Sequence, residues 1–378
     1  MPVFTSYIAL AGLLFFFYLG EQGKVKQLTP KSSRWCAYFV MWVFIGLRGH
    51  IMSDFIVYYP YFENQSDILH FSSQEFYDAH FEPGFLIYTA VFKLFCSNYF
   101  AWIAFNTLID LVVLAWFFHR YCRSMVLPLI FFIAFNGILM EFNLYRNMKA
   151  IDCFLLSLPY LQQRRIWPYI MLNLLGFTFH ASSLLYLPVY FILTLNTNLM
   201  VRVGCFVISN FIFLGNIQVI SELLNNLSFF QALDAYDKVA GYTGSATEVK
   251  ISIGYLERTV GFIVFSLYYN RLVKTNRAYV VFYNSFLIYY CCYLSLYEVK
   301  VLVERIPYLF MFSYWVLYPA VVDIRSRWRQ VLRAGVAFLV VLKIVSSNHP
   351  AVRYENILLP HSTYEQRKAL YQNYEQSN

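Results

Sequence analysis

A chain of 378 residues that is 59% hydrophobic, 21% aromatic and only 13% charged, with a mean hydropathy of +0.50, reads as a polytopic α-helical membrane protein; a soluble core of this length would not need so much apolar sequence. The formal charge of +8 points to nucleic acid only until its placement is considered. Most of the lysines and arginines lie in short loops between apolar runs, which makes the basicity a matter of topology and implies no nucleic-acid partner. The seven cysteines show no Cys-x-x-Cys spacing and mostly lie in or beside apolar runs, so they read as packing residues, with neither disulfide nor metal implied.

A helix needs about 20 residues to cross about 30 Å of hydrocarbon, and fewer where the bilayer thins or the ends snorkel. In chain order, spans are predicted at 4–20, 35–47, 98–118, 126–143, 147–161, 166–180, 182–195, 203–220, 253–269, 278–296, 303–322 and 333–346. The first has no basic stretch before it and no small-residue cleavage signal after it, so it reads as an uncleaved span. Lys24, Lys26, Lys31 and Arg34, then Arg120 and Arg123, then Arg164 and Arg165, Arg202, Arg271 to Arg277 and Arg325 to Arg333 mark the cytoplasmic loops. Between the loops at 24–34 and 120–123 the number of crossings must be even, yet a third apolar run, 83–95, lies between them. It is short enough for a re-entrant or interfacial segment. The expectation is therefore an all-α bundle of about 12 spans plus one re-entrant helix, with both termini outside. It forms a single transmembrane domain over 1–346, with larger outer loops at 48–97 and 221–252, and an outer-face tail at 347–378.

Against this topology, Arg48, Arg146, Arg258, Arg305 and His180 fall at span ends assigned to the outer face. Charge at such depth is costly and marks a functional site by default. Cations from at least four helices on one face suggest a pocket for an anion.

RGHIMSD at 48–54 joins Arg48 to Asp54, which would hold a pyrophosphate and orient a hydroxyl, or simply pair with each other; the tyrosines behind it, Tyr58 first, suit stacking on sugar rings but also fit an interfacial belt. In FEPGF at 81–85, Glu82 precedes Pro83; it is either a structural residue at a positive helix end or a general base for an acceptor hydroxyl. LYRNMKA at 144–150 sets Arg146 and Lys149 three apart on one helical face, and the planar guanidinium suits phosphate. The plain alternative is pairing with Glu141 or Asp152. His180, in FHASS at 179–183, is a competing base or a satisfied turn residue. YLERTVG at 255–261 and VERIPYLF at 303–310 each carry a Glu-Arg dipeptide near an outer end. Neighbouring residues point about 100° apart on a helix, so Arg258 and Arg305 are expected to pair across helices or to meet a ligand. No nucleotide-phosphate loop, zinc spacing or acidic dyad is present, and no cofactor or metal is implied.

Taken together, RG…SDFxxYYxYF at 48–62, EPGF at 82–85, YRNMKAID at 145–152, FHASSLLYLPVY at 179–190 and ERIPYLF at 304–310 resemble the exopolysaccharide and O-antigen polymerase group of bacterial inner-membrane proteins, in particular the EpsG branch. Asn147 and Asp54-Phe55 stand where that family usually has Gln and Asp-Tyr. The resemblance implies polymerisation of polyprenyl-pyrophosphate-linked oligosaccharide units at the outer face of the inner membrane, with a chain-length regulator as partner. On it, Arg146 and Arg305 are expected at the pyrophosphate, Arg48, Arg258, Lys149, Tyr58 and Tyr308 as further substrate contacts, and Asp54, Glu82 or His180 as the base, in that order. The alternatives from other classes are a transporter of lipid-linked oligosaccharide, which should show repeat symmetry, and a membrane O-acyltransferase using His180.

Overall fold

The computed structural model describes residues 3–72, 74–75, 81–219, 251–324, 327–346 and 350–376, so the predicted outer loop at 221–252 lies almost entirely outside the described residues. The described residues are helical, with no strand and one isolated antiparallel bridge, Arg48 to Asn356. In chain order the helices are α1 (Thr5–Glu21), α2 (Pro30–Gly46), α3 (Phe55–Asn64), α4 (Pro83–Lys93), α5 (Tyr99–Tyr121), α6 (Leu127–Ala134), α7 (Gly137–Asn143), α8 (Tyr145–Gln162), α9 (Ile166–Phe177), α10 (Leu199–Leu214), α11 (Ile253–Thr275), α12 (Tyr279–Ser295), α13 (Lys300–Arg305), α14 (Phe312–Asp323), α15 (Arg329–Ser346) and α16 (Tyr364–Gln376). Several starts are set by local chemistry. Thr29 and Ser32 form a reciprocal capping box ahead of Pro30 on α2, and the side chains of Asn98, Asn198 and Ser252 accept the backbone N–H three residues on at α5, α10 and α11, each satisfying a donor that the helix cannot.

The chain forms two compact units, 1–190 with 325–378, and 191–324. In the first, α8 packs along α9, α2 between α1 and α5, and α15 against α6 and α1. Glu21 at the end of α1 ties this unit together at one end: its carboxylate receives Arg34 Nε at 2.8 Å and the Met125 N–H at 3.0 Å. In the second unit α12 is central, packed against α10, α11 and α14. Among the described residues one helix, α5, is both long and apolar enough to cross a membrane, with mean hydropathy 1.8; α1, α9 and α10 are apolar but shorter. Large apolar side chains stand exposed along several helices, among them Phe39, Trp167, Phe211, Leu267 and Phe338, as a lipid-facing surface requires.

Three predicted spans are not continuous. The 126–143 run breaks into α6 and α7 at Asn136, which takes the left-handed conformation (φ 57°) that Asn tolerates better than most residues. In 182–195 only the 3₁₀ turn Ala181–Leu185 and a helical turn at Tyr186–Val189 form. The 303–322 run is interrupted by the 3₁₀ turn Pro307–Phe310, since Pro307 has no N–H to continue α13. The 83–95 segment forms α4, a helix of 11 residues, and the tail folds back onto the first unit, where Arg48 bridges to Asn356.

Candidate functional site

The start of α4 is made by a carbonyl from a distant segment. Pro83 occupies the first helical position, where the missing N–H is no loss, and the N–H groups of Gly84 and Phe85 donate to Thr178 O at 2.8 and 3.3 Å. A Cβ on Gly84 would lie 2.7 Å from that same backbone oxygen, so only glycine permits the approach. Gly84→Ala is expected to destabilise the folded protein by about 1–3 kcal/mol through this overpacking, seen as a lower thermal midpoint in detergent; an unchanged midpoint would contradict the contact.

This contact delivers Glu82 to its partners. Glu82 is the N-cap residue of α4, but its side chain makes no capping hydrogen bond there. One carboxylate oxygen forms an ion pair with Arg146 Nη1, and the other accepts the Ala181 N–H at 3.0 Å. Arg146, in the first turn of α8, also donates Nε–H to the Tyr58 hydroxyl at 2.8 Å and lies over the Phe81 ring, 4.7 Å from its centroid. The rings of Tyr58 and Phe81 are stacked, 5.5 Å apart and 12° from parallel. Burial, with Asp54 nearby and against the pull of Arg146, holds the Tyr58 phenol well above its ordinary range, so it stays protonated. The Arg146 and Glu82 side chains keep 18% and 19% of their surface exposed, so the pair is not sealed from a ligand. Guanidinium, carboxylate, phenol and two flat rings can together hold an anion, accept a proton and support a sugar face.

The other predicted residues of this unit are placed differently. Arg48 is buried; its guanidinium donates to Ile45 O and Glu141 O, both at 2.7 Å, and lies over Phe142 and Tyr145. It satisfies carbonyls at the ends of α2 and α7 and does not pair with Asp54. Asp54 precedes α3, with its backbone N–H held at 3.0 Å by the side chain of Asn143. Lys149, one turn beyond Arg146, turns inward: it is buried, forms an ion pair with Asp110 of α5 and donates to Asn106 O at 3.0 Å. Arg146 and Lys149 thus serve different partners, and Arg146 pairs with Glu82 in place of the plain alternative, Glu141 or Asp152. His180 is mostly buried, with Nδ1 2.7 Å from Ser182 Oγ; it adjoins the Ala181 N–H that holds Glu82. In the 48–54 loop, burial, with His361 close by, pushes His50 down to about 4, so its ring is uncharged at neutral pH.

Arg258, Arg305 and Tyr308 belong to the second unit. Arg258 is buried in an aromatic box. Its Nε donates to the Tyr289 hydroxyl at 2.7 Å, the Tyr293 ring lies 3.5 Å away, and Glu257 stands at 3.9 Å, the edge of contact. Arg305 ends α13 and is exposed, and Tyr308 lies in the 3₁₀ turn after it.

Three residues went unnamed by sequence reasoning. Phe81 carries no signal by itself. Asp110 does, as an acid inside an apolar run. Asn143 accepts from Ser53 N, Ser53 Oγ and Asp54 N at 3.2, 2.7 and 3.0 Å, a hub recognisable only once α7 lies beside the 48–54 loop.

No curated protein and no solved structure matches the chain. The EpsG family model matches residues 33–361, a stretch that contains Glu82, Arg146 and every other residue discussed above as a site candidate, and the chain accordingly belongs to the EpsG family.

Proposed function

We propose that this chain is a polysaccharide polymerase, joining oligosaccharide repeat units carried on polyprenyl pyrophosphate into O-antigen, capsule or exopolysaccharide. It would sit in the inner membrane, crossing it about 12 times, with its site on the outer face. The observation that carries the reading is the meeting of Glu82, Arg146, Tyr58 and Phe81 at the start of α8, where the Glu82–Arg146 pair is only partly buried. In the reaction, the acceptor hydroxyl oxygen bonds to the anomeric carbon of the donor sugar, the carbon–oxygen bond to pyrophosphate breaks, and polyprenyl pyrophosphate leaves. The negative charge that grows on the leaving group calls for a preorganised cation, and Arg146 supplies it. The incoming phosphate competes with Glu82 for the guanidinium, and the displaced carboxylate accepts the hydroxyl proton. Glu82 therefore comes ahead of Asp54 and His180 as the base, because it is the one of the three held against Arg146. Arg48 and Lys149, which are buried in the same unit, are supports of the fold in this reading.

The test is removal of the gene from a cell that makes the corresponding polymer. Single lipid-linked repeat units are expected to accumulate on the outer face, and long chains to return when the gene is restored. Chains of normal length lacking acyl groups would instead indicate an acyltransferase, and units trapped on the inner face a transporter.

A further inference from the structure

The loop from Leu47 to Asp54 joins α2 to α3 and belongs to neither helix, and Met52 takes a positive φ of 67°. Such strain persists only where the surroundings over-determine it. Here the surroundings come from some 300 residues away in sequence. The N–H groups of Gly49 and Met52 donate to Glu355 O and Ala351 O, and that of Ile357 to Leu47 O, each at 2.9 Å. Tyr354 stacks on Phe44 with ring centroids 3.8 Å apart and donates to Phe44 O at 2.9 Å. Asn356 reaches Val43 O at 3.1 Å, and Tyr364 reaches Ile56 O at 3.2 Å.

The tail is braced internally. Glu355 accepts the N–H and hydroxyl of Ser362 at 3.0 and 2.8 Å, and Arg367 donates to Ala351 O and Arg353 O at 3.2 and 2.6 Å and to Glu355 at 3.3 Å. The glycine after Arg48 is part of the fit, since a Cβ there would lie 3.3 Å from the Glu355 Cβ.

From these contacts we infer that the C-terminal segment Ala351–Arg367 is a clamp that fixes the Arg48–Asp54 loop and so positions the start of α3, whose Tyr58 holds Arg146. The inference rests on the reading of the Arg146 site given above. The mechanical path is short. The Tyr58 N–H donates to Asp54 O at 2.9 Å, the Asp54 N–H is held by Asn143, and the turn just before it is pinned by the tail. Arg367 and Glu355 act through the loop, as positioning residues.

The experiment uses the full chain in lipid vesicles, with hydrogen exchange and chain growth measured on the same samples. Arg367→Ala, and independently Gly49→Val, are expected to speed exchange of the Gly49 and Met52 amides about tenfold or more while amides in α8 stay protected. The maximal rate of chain growth should fall about tenfold or more with the half-saturating donor concentration little changed, because misplacement costs rate more than binding. A purely structural role would lower the amount of folded protein and leave the rate per folded molecule intact. Unchanged exchange at Gly49 and Met52 in both folded variants would overturn the clamp, as would faster exchange with a wild-type maximal rate. If the wild-type chain makes no polymer at all, the functional reading fails, and the exchange data alone decide whether the clamp exists.

Discussion

Arg146→Ala is expected to stop chain growth while leaving the protein in the membrane at its normal level, with a fall in polymerisation rate of about 10²–10³, the range for loss of one preorganised electrostatic donor. Cells carrying it should accumulate single lipid-linked repeat units. Arg146→Lys should rescue poorly. The guanidinium binds the Tyr58 hydroxyl through Nε and Glu82 through Nη1 while lying flat over Phe81, and an ammonium reproduces the charge without the fork or the plane. Glu82→Gln should fall at least as far, since loss of a general base costs about 10²–10⁴, whereas Asp54→Asn and His180→Gln should stay closer to wild type. Full-length polymer from Arg146→Ala at normal expression would remove the pyrophosphate role.

Lys149→Met should act on stability rather than on chemistry. The Lys149 ammonium and the Asp110 carboxylate are 6% and 4% exposed, and Glu141 and Asp152 are buried as well. Removing the ammonium leaves buried carboxyl groups without their cation, a change that typically costs about 3–5 kcal/mol. The variant is expected to be degraded or to aggregate on extraction. Lys149→Met combined with Asp110→Leu should recover much of the folded protein, because replacing both partners of a buried pair by apolar groups is often close to neutral. The yield of monodisperse protein in detergent measures both. Wild-type yield from Lys149→Met alone would show that the pair contributes little to the fold.

The order of helices was largely legible because a run of apolar residues is a local property. The spans read at 4–20, 98–118, 147–161, 253–269 and 278–296 correspond to α1, α5, α8, α11 and α12 with ends moved by a few residues. Some ends carry a local signal of their own. Thr29, Pro30 and Ser32 are a legible start signal that hydropathy, which places the start of this span at 35, does not register. The breaks at Asn136 and Pro307 were harder, since hydropathy does not register a left-handed residue, and proline is tolerated inside other helices of this chain, such as Pro159 in α8.

For the site, chemistry was legible and pairing was not. Glu82, Arg146 and Tyr58 were each picked out by residue type and position. Their meeting depends on Thr178 O capping α4, a contact between segments about 95 positions apart that no local pattern encodes. Arg48 shows the converse. Its position resembles that of a ligand-binding cation, but two carbonyls and two aromatic rings occupy its guanidinium, and nothing in its own neighbourhood of sequence announces them. The role of the tail was invisible for the same reason.

The most direct measurement is reconstitution of the purified chain alone in lipid vesicles with polyprenyl-pyrophosphate-linked repeat units. Product length and released polyprenyl pyrophosphate are followed together. A ladder of chains is expected, with one polyprenyl pyrophosphate released for each linkage formed, and both signals should be lost in Arg146→Ala. Folded wild-type protein that consumes no donor, or that lengthens chains without releasing polyprenyl pyrophosphate, would contradict the proposed reaction.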